Sequence, residues 1–253
     1  MKESIRQIKD RYEQCPIEKM PEFIHMVSDD ERMGVKKIIT SAQKAYTNYE
    51  KELARLETMC RYEKQYETCS YICGIDEVGR GPLAGPVVAG AVILPKDCRI
   101  LYLNDSKQLS AKKREELYDE IMEKAVAVGI GLVSHQRIDE INILQATFEA
   151  MRIAISRLSK KPDLLLNDAV TIPEVSIPQV PIIKGDAKSI SIAAASIVAK
   201  VTRDRLMVEM EELYPGYDFA SNKGYGSKKH IEAIQELGPC GIHRMSFIKN
   251  IWH

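Results

Sequence analysis

The chain has 253 residues, room for one large domain or one domain with a small appendage. Hydrophobic residues make up 45% and charged residues 28%, which excludes a disordered or fibrous chain. Thirty-six basic residues balance thirty-six acidic ones, so any nucleic-acid contact must come from local arrangement rather than bulk charge.

Residues 1–70 read as helical. A short helix is expected near 3–14. From Val35 the seam Val35, Ile39, Ala42, Tyr46, Tyr49, Leu53, Leu56 and Cys60 steps by four and three, predicting one long helix that reaches 67–70. This stretch carries thirteen basic and thirteen acidic residues, so it is no simple cationic arm. Packing on something explains it better than an autonomous coiled coil, since Ala42, Tyr46 and Tyr49 are poor zipper residues.

At Ser70 the texture changes. Apolar runs at 71–76, 85–94, 125–134, 163–168 and 180–184 predict five buried strands. Helices are expected at 111–124 behind the N-cap Ser110, at 139–159 from the three–four spacing of Ile141 to Leu158, and at 189–213. The alanine-rich start of the last could lie close against a sheet. Strands followed by alternating helices and strands make an α/β domain over a mixed sheet at 71–253, with 1–70 as an extension.

The six cysteines, at 15, 60, 69, 73, 98 and 240, form no CxxC pair. Cys73 and Cys98 lie in apolar stretches and read as buried thiols. No apolar run approaches the roughly 20 residues of a membrane span. The opening MKESIRQIKDRYEQ lacks the apolar stretch of a signal peptide. A monomer in the reducing cytoplasm, with no membrane partner, is the expectation.

Four acids stand apart by position. Asp76 and Glu77 close the first strand, Asp168 closes the fourth, and Asp186 follows Gly185 just after the fifth. Functional groups gather at such strand ends in open α/β sheets. Carboxylates brought together repel unless a cation neutralises them, and hard oxygen ligands favour magnesium or manganese. Two such ions, about 3.5–4 Å apart, clamp an in-line phosphoryl displacement. Each acid alone also fits a helix cap or solvated loop end, Asp186 most easily. Asp76 and Glu77 would point to opposite faces of a straight strand, so the strand is expected to end or bulge there, which Gly79 permits.

Around these acids lie candidate substrate contacts. Gly79-Arg80-Gly81 can turn backbone N–H groups and a planar guanidinium toward a phosphate. Ser106 and Lys107 precede the 111–124 helix, and Lys184, Lys188 and Ser189 bracket Asp186. Tyr225, framed by glycines and lysines, could stack on a sugar or base. His230 and His243 read as satisfied histidines rather than ligands.

These stretches match a known family. Gly74-Ile-Asp76-Glu77-Val-Gly79-Arg80-Gly81-Pro82-Leu-Ala-Gly-Pro86 resembles the signature of ribonuclease HII, the type 2 ribonuclease H. The run from Lys184 to Lys200 resembles its second block, and Asn222-Lys-Gly-Tyr225-Gly-Ser its third. The match covers about 71–250.

The resemblance implies a ribonuclease H-like fold: a mixed five-stranded sheet flanked by helices, with a helical C-terminal part and, here, an N-terminal helical extension. It implies endonucleolytic hydrolysis of RNA in RNA–DNA hybrids and cleavage on the 5′ side of single ribonucleotides in duplex DNA, leaving 3′-hydroxyl and 5′-phosphate ends. Asp76, Glu77, Asp168 and Asp186 would hold Mn2+ or Mg2+, two ions with substrate bound. Gly79, Arg80 and Gly81 would contact the ribonucleotide's 2′-hydroxyl and neighbouring phosphate, the group that separates RNA from DNA. Tyr225 would pack on the following sugar. Asp163 is the alternative to Asp168 in the third acid position. The sibling family, ribonuclease HIII, is expected to have glutamate where Asp186 stands.

Overall fold

The computed structural model describes residues 3–252. They form two compact units, divided between Thr58 and Met59. The family-like texture changes at Ser70, but the first unit closes earlier, because Tyr62 and Tyr66 already pack with the sheet of the second.

In the first unit, α1 (Ile5–Gln14) starts on a reciprocal cap: Ser4 Oγ accepts from Gln7 N–H, and Gln7 Oε1 accepts from Ser4 N–H at 2.8 Å. Next come α2 (Met20–Val27) and α3 (Met33–Met59). Ile8, Met20, Phe23, Val27, Val35, Ile38 and Ala42 make their shared core. Two expectations need correction. Helix α2 forms where the sequence pattern gives no helix; its eight residues, with Pro21 tolerated in the first turn, are too few to display a period. The single long helix stops at Met59 and resumes as α4 (Arg61–Gln65), because Cys60 sits at φ −78°, ψ 1°.

The second unit is built on one mixed sheet. Strands β1 (Ile72–Val78), β2 (Val87–Ile93), β3 (Ala127–Val133), β4 (Leu164–Asp168) and β5 (Gln179–Ile182) lie in the order β3-β2-β1-β4-β5. β1 and β3 run antiparallel to β2, whereas β4 runs parallel to β1 and to β5. Helix α5 (Ala111–Lys124) begins on Ser110, whose hydroxyl accepts from Lys113 N–H.

Two helices cover the sheet. α6 (His135–Ser156) seals one face with Ala146, Ala150, Met151 and Ala154 against Cys73, Ile75, Ala89 and Ala91. It starts earlier than its apolar spacing implied and kinks at Asn142 (φ 68°, ψ 164°). The Asn142 side chain recaps the helix there, accepting from Leu144 and Gln145 N–H. On the other face lies α7 (Ile190–Leu213), whose first ten residues are almost wholly buried. Its approach depends on Gly74: a Cβ there would sit 2.0 Å from the Ser191 carbonyl carbon. The alanine-rich surface and the glycine strand are one fit.

The C-terminal part is helical: α8 (Phe219–Asn222), α9 (Lys228–Leu237) and α10 (Met245–Ile248) around Tyr217, Phe219, Ile234 and Ile248. Asp139 of α6 accepts from Met245 and Ser246 N–H and caps α10. No helix among the described residues is long and apolar enough to cross a membrane.

Candidate active site

Parallel pairing of β1 with β4 ends at Ile75↔Asn167, so Asp76 and Asp168 are the next residues on adjacent strands. β1 neither ends nor bulges at its acids. Its ladder with β2 runs unbroken to Val78↔Val88, contrary to the expectation from the Asp76-Glu77 pair. Side chains therefore alternate. Asp76 shares the α7 face with Gly74; Glu77, although next along the strand, lies near enough to Asp168 and Lys107 to feel both charges.

Asp76 is buried and its Oδ1 accepts from the Glu77 N–H at 2.7 Å. Burial raises its pKa well above the carboxylate range, and the Glu77 and Asp168 charges push the same way; a hydrogen bond with Ser196 opposes them. Glu77 is raised as well, by burial, although Arg80 pairs with it at 3.3 Å. Asp168 Oδ1 accepts from Gly185 N–H at 2.7 Å. That bond anchors the 3-10 turn Gly185–Ala187, where Asp186 is buried; burial, Asp105 and Asp168 together raise its pKa. Asp186 does not cap α7, since that position belongs to Ser189.

Lys107 faces this group. Burial works against its charge, but Asp105, Asp76, Asp186 and Asp168 outweigh burial and raise its pKa. The Asp163 alternative lies elsewhere: Asp163 Oδ2 accepts from Ser70 and Tyr71 N–H at the opposite end of β1. It is a cap on the sheet, far in register from Asp76.

The remaining candidates divide. Arg80 is exposed, and Gly81 lies beside Tyr225, whose Cε1 would stand 3.9 Å from a Cβ at that glycine. The Tyr225 ring is 41% exposed, with the Lys200 ammonium and the Arg203 guanidinium each within 6 Å of its centroid, at 5.9 and 5.8 Å. Lys184 is exposed in a left-handed conformation (φ 57°), and Lys188 bends back to the Ile183 carbonyl. Two serines need correction as substrate contacts. Ser106 is buried and bonds to Ser196 Oγ at 3.0 Å, completing a hydroxyl relay beneath Asp76. Ser189 is fully buried; it accepts from Ile192 N–H and donates to Glu63 Oε1 at 2.5 Å. Both serines hold the site from inside.

Sequence reasoning passed over Ser196, Asp105, Arg203 and Arg244. Arg203 had a signal: it falls in the buried seam Ser196, Ala199, Arg203, Met207 of α7, where a charge is out of place. His230 and His243 are core residues as read. Their Nε2 atoms lie 3.0 Å apart, and burial with the neighbouring His230 lowers His243 to about 4. Cys73 is buried as expected, while Cys98 is only half-buried.

No three carboxylate, histidine or cysteine side chains among the described residues close on a single point. Magnesium-type sites commonly take only one or two carboxylates and complete their shell with water and substrate phosphate. Asp76, Asp168 and Asp186 are all hard oxygen donors, and the Asp168 charge raises the proton affinity of the other two, so they fit that kind of ion.

Among solved structures, the fold is similar to the ribonuclease H2 from Pyrococcus horikoshii, with a TM-score of 0.60 and 28% identity over 72% of this chain and 96% of that one. It is also similar to the ribonuclease HII of Archaeoglobus fulgidus, solved in complex with PCNA (TM-score 0.59, 28% identity, 72% and 97% coverage). A mixed five-stranded sheet with carboxylates beside a glycine–arginine loop thus defines a ribonuclease H-like hydrolase. The sequence narrows the class. A family model described as Ribonuclease HII matches residues 73–250, and one described as Ribonuclease HII N-terminal domain matches 4–67. The Ribonuclease HII of Lachnoclostridium phytofermentans is 71% identical over 222 residues, 88% of this chain and 87% of that one. That of Clostridioides difficile is 52% identical over 250 residues, 98% of each chain. The chain belongs to the ribonuclease HII family and is a metal-dependent endoribonuclease acting on RNA–DNA hybrids.

Proposed function

We propose that the enzyme also cuts duplex DNA on the 5′ side of a single embedded ribonucleotide, leaving 3′-hydroxyl and 5′-phosphate ends. The observation carrying this reading is the gathering of Asp76, Glu77, Asp168 and Asp186 at one end of the sheet, within reach of one another's charge, beside the Gly79–Gly81 loop. Four carboxylates at one end of a sheet, three with raised proton affinity, form a site that attracts cations and repels anions. A polyanionic substrate would be accepted there only together with compensating charge.

Asp76, Glu77, Asp168 and Asp186 would hold two divalent ions, Mn2+ or Mg2+, which when bound would lower the pKa of water and offset charge on the leaving oxygen. The chain's own groups would do the rest. Gly185 N–H and Ser196 Oγ hold Asp168 and Asp76 in place, so the acids meet substrate without rearrangement. Lys107, Lys184 and Lys188 would bind phosphates along the strand. The Arg80 guanidinium, now on Glu77, would move to a phosphate oxygen when Glu77 takes a cation. Backbone N–H groups of Gly79, Arg80 and Gly81 would meet the 2′-hydroxyl, and Tyr225 would pack on the next sugar.

The test is a DNA duplex with one ribonucleotide, an all-DNA duplex of the same sequence and an RNA–DNA hybrid, each with Mg2+ and with Mn2+. Cleavage at the 5′ side of the ribonucleotide, with none on all-DNA, is the expected result. Cleavage of the hybrid alone would remove the single-ribonucleotide reading.

A further inference from the structure

Two arginines, Arg203 of α7 and Arg244 before α10, are fully buried. Every hydrogen bond that either side chain makes goes to a main-chain carbonyl. Arg244 donates to Gly79 O at 2.6 Å, Arg80 O at 3.0 Å and Gly85 O at 3.0 Å. Arg203 donates to Pro86 O, Ala84 O and Lys223 O at 2.9, 3.0 and 2.8 Å. The two forks thus hold the β1–β2 connection by five carbonyls, and Arg203 ties it to the residue two places before Tyr225.

A trans peptide points its N–H opposite to its C=O. No peptide bond among the described residues is cis. With the Gly79 and Arg80 carbonyls drawn inward by Arg244, the Arg80 and Gly81 N–H groups must point outward, and neither donates a hydrogen bond among the described residues. They open beside the exposed Tyr225 ring, next to Gly81. By contrast, Leu83 and Gly85 N–H are occupied, by Gly224 O and Ile242 O. Gly79 makes the arrangement possible: it sits at φ +90°, and a Cβ there would fall 2.3 Å from Arg203 Nε.

We propose that Arg244, braced by Arg203, is a positioning residue for ribose recognition: its fork fixes two adjacent peptides so that the Arg80 and Gly81 N–H groups are presented to the 2′-hydroxyl and the flanking phosphate. This rests on the reading of the Gly79–Gly81 loop given above. A fixed pair of donors discriminates because a deoxyribose leaves one of them without a partner in a desolvated contact. Lysine cannot replace the fork, since one ammonium cannot span three carbonyls in fixed directions. The two guanidiniums also leave positive charge beneath the loop, which favours the phosphate without touching it.

The test is Arg244→Lys in the full chain. On the single-ribonucleotide duplex, KM is expected to rise roughly tenfold or more while kcat changes less than about threefold. The binding preference for that duplex over an all-DNA duplex should shrink by a similar factor. Loss of kcat at unchanged KM, or an unchanged preference in a folded variant, would overturn the proposal. Amide exchange on the wild-type protein covers the case where the variant does not fold. Arg80 and Gly81 amides should exchange fast and gain protection with the ribonucleotide duplex but not with all-DNA; equal behaviour with both would also overturn it. Wild-type protein that cuts neither ribonucleotide substrate would instead end the underlying reading.

Discussion

The molecule buries two clusters of like charge, and they are treated in opposite ways. At the carboxylate end of the sheet, burial and neighbouring negative charge raise the proton affinity of Asp76, Glu77 and Asp186. Burial lowers the guanidiniums of Arg203 and Arg244 to about 10 and about 9, the Arg203 charge adding to the lowering of Arg244, yet carbonyls fill both forks. One cluster is left wanting a cation that the chain does not supply; the other is internally complete. A site must keep unspent interaction energy for its ligand, whereas a brace must not.

That contrast can be broken by mutation. Asp76→Asn is expected to lower cleavage of a single-ribonucleotide duplex by roughly a thousandfold or more, while the melting temperature holds or rises, since a buried repelled charge is gone. A clean loss of folding in that variant would make the acid cluster structural. Arg203→Met should do the reverse, costing about 4 kcal/mol in urea denaturation by stranding buried carbonyls. Wild-type stability there would mean that the carbonyls find other donors and the brace is dispensable.

Acid pH sharpens the comparison, because the histidine pair and the acids respond with opposite sign. His243 Nδ1 accepts from Cys240 N–H at 2.9 Å, so its proton sits on Nε2 and is donated to His230, which in turn donates from Nδ1 to the Tyr225 carbonyl. A second proton has no place in this chain. With a folded value of about 4 against roughly 6.5 unfolded, the unfolded chain binds the proton first. Stability therefore falls as pH drops through that window, by on the order of 3 kcal/mol. Asp76, Glu77 and Asp186, raised in the fold, add stability as pH falls toward their folded values. Comparing His243→Asn with wild type in urea at several pH values isolates the histidine share, and parallel curves would refute it. The smallest effect is expected from Ser189→Ala: about 1 kcal/mol from the lost cap of α7, with KM unchanged. A raised KM would return Ser189 to the substrate surface.

Much of the scaffold was legible because its causes are local. Ser110 before Ala111–Lys124 and Ser189 before Ile190–Leu213 announce helix starts by short side chains that accept backbone N–H bonds. The five strands show as apolar runs broken by turn residues. Helix α2 was hidden by its length, and the Cys60 break by a seam that stays in phase right up to it. In the site, the four acids can be picked out by where strands end, but the direction of Asp76 and Glu77 cannot, since it depends on how far β1 keeps its pairing with β2.

By itself the sequence determined the family motifs, the order of elements and which residue types could meet a divalent ion and a phosphate. Only the tertiary structure decided that Asp163 caps the far end of the sheet, that Ser106 and Ser189 face inward, and that Arg244 reaches Gly79 across 165 residues. The reason is range: capping and periodicity act over a few residues of chain, whereas burial and the sharing of hydrogen bonds are settled only when distant segments compete for the same space.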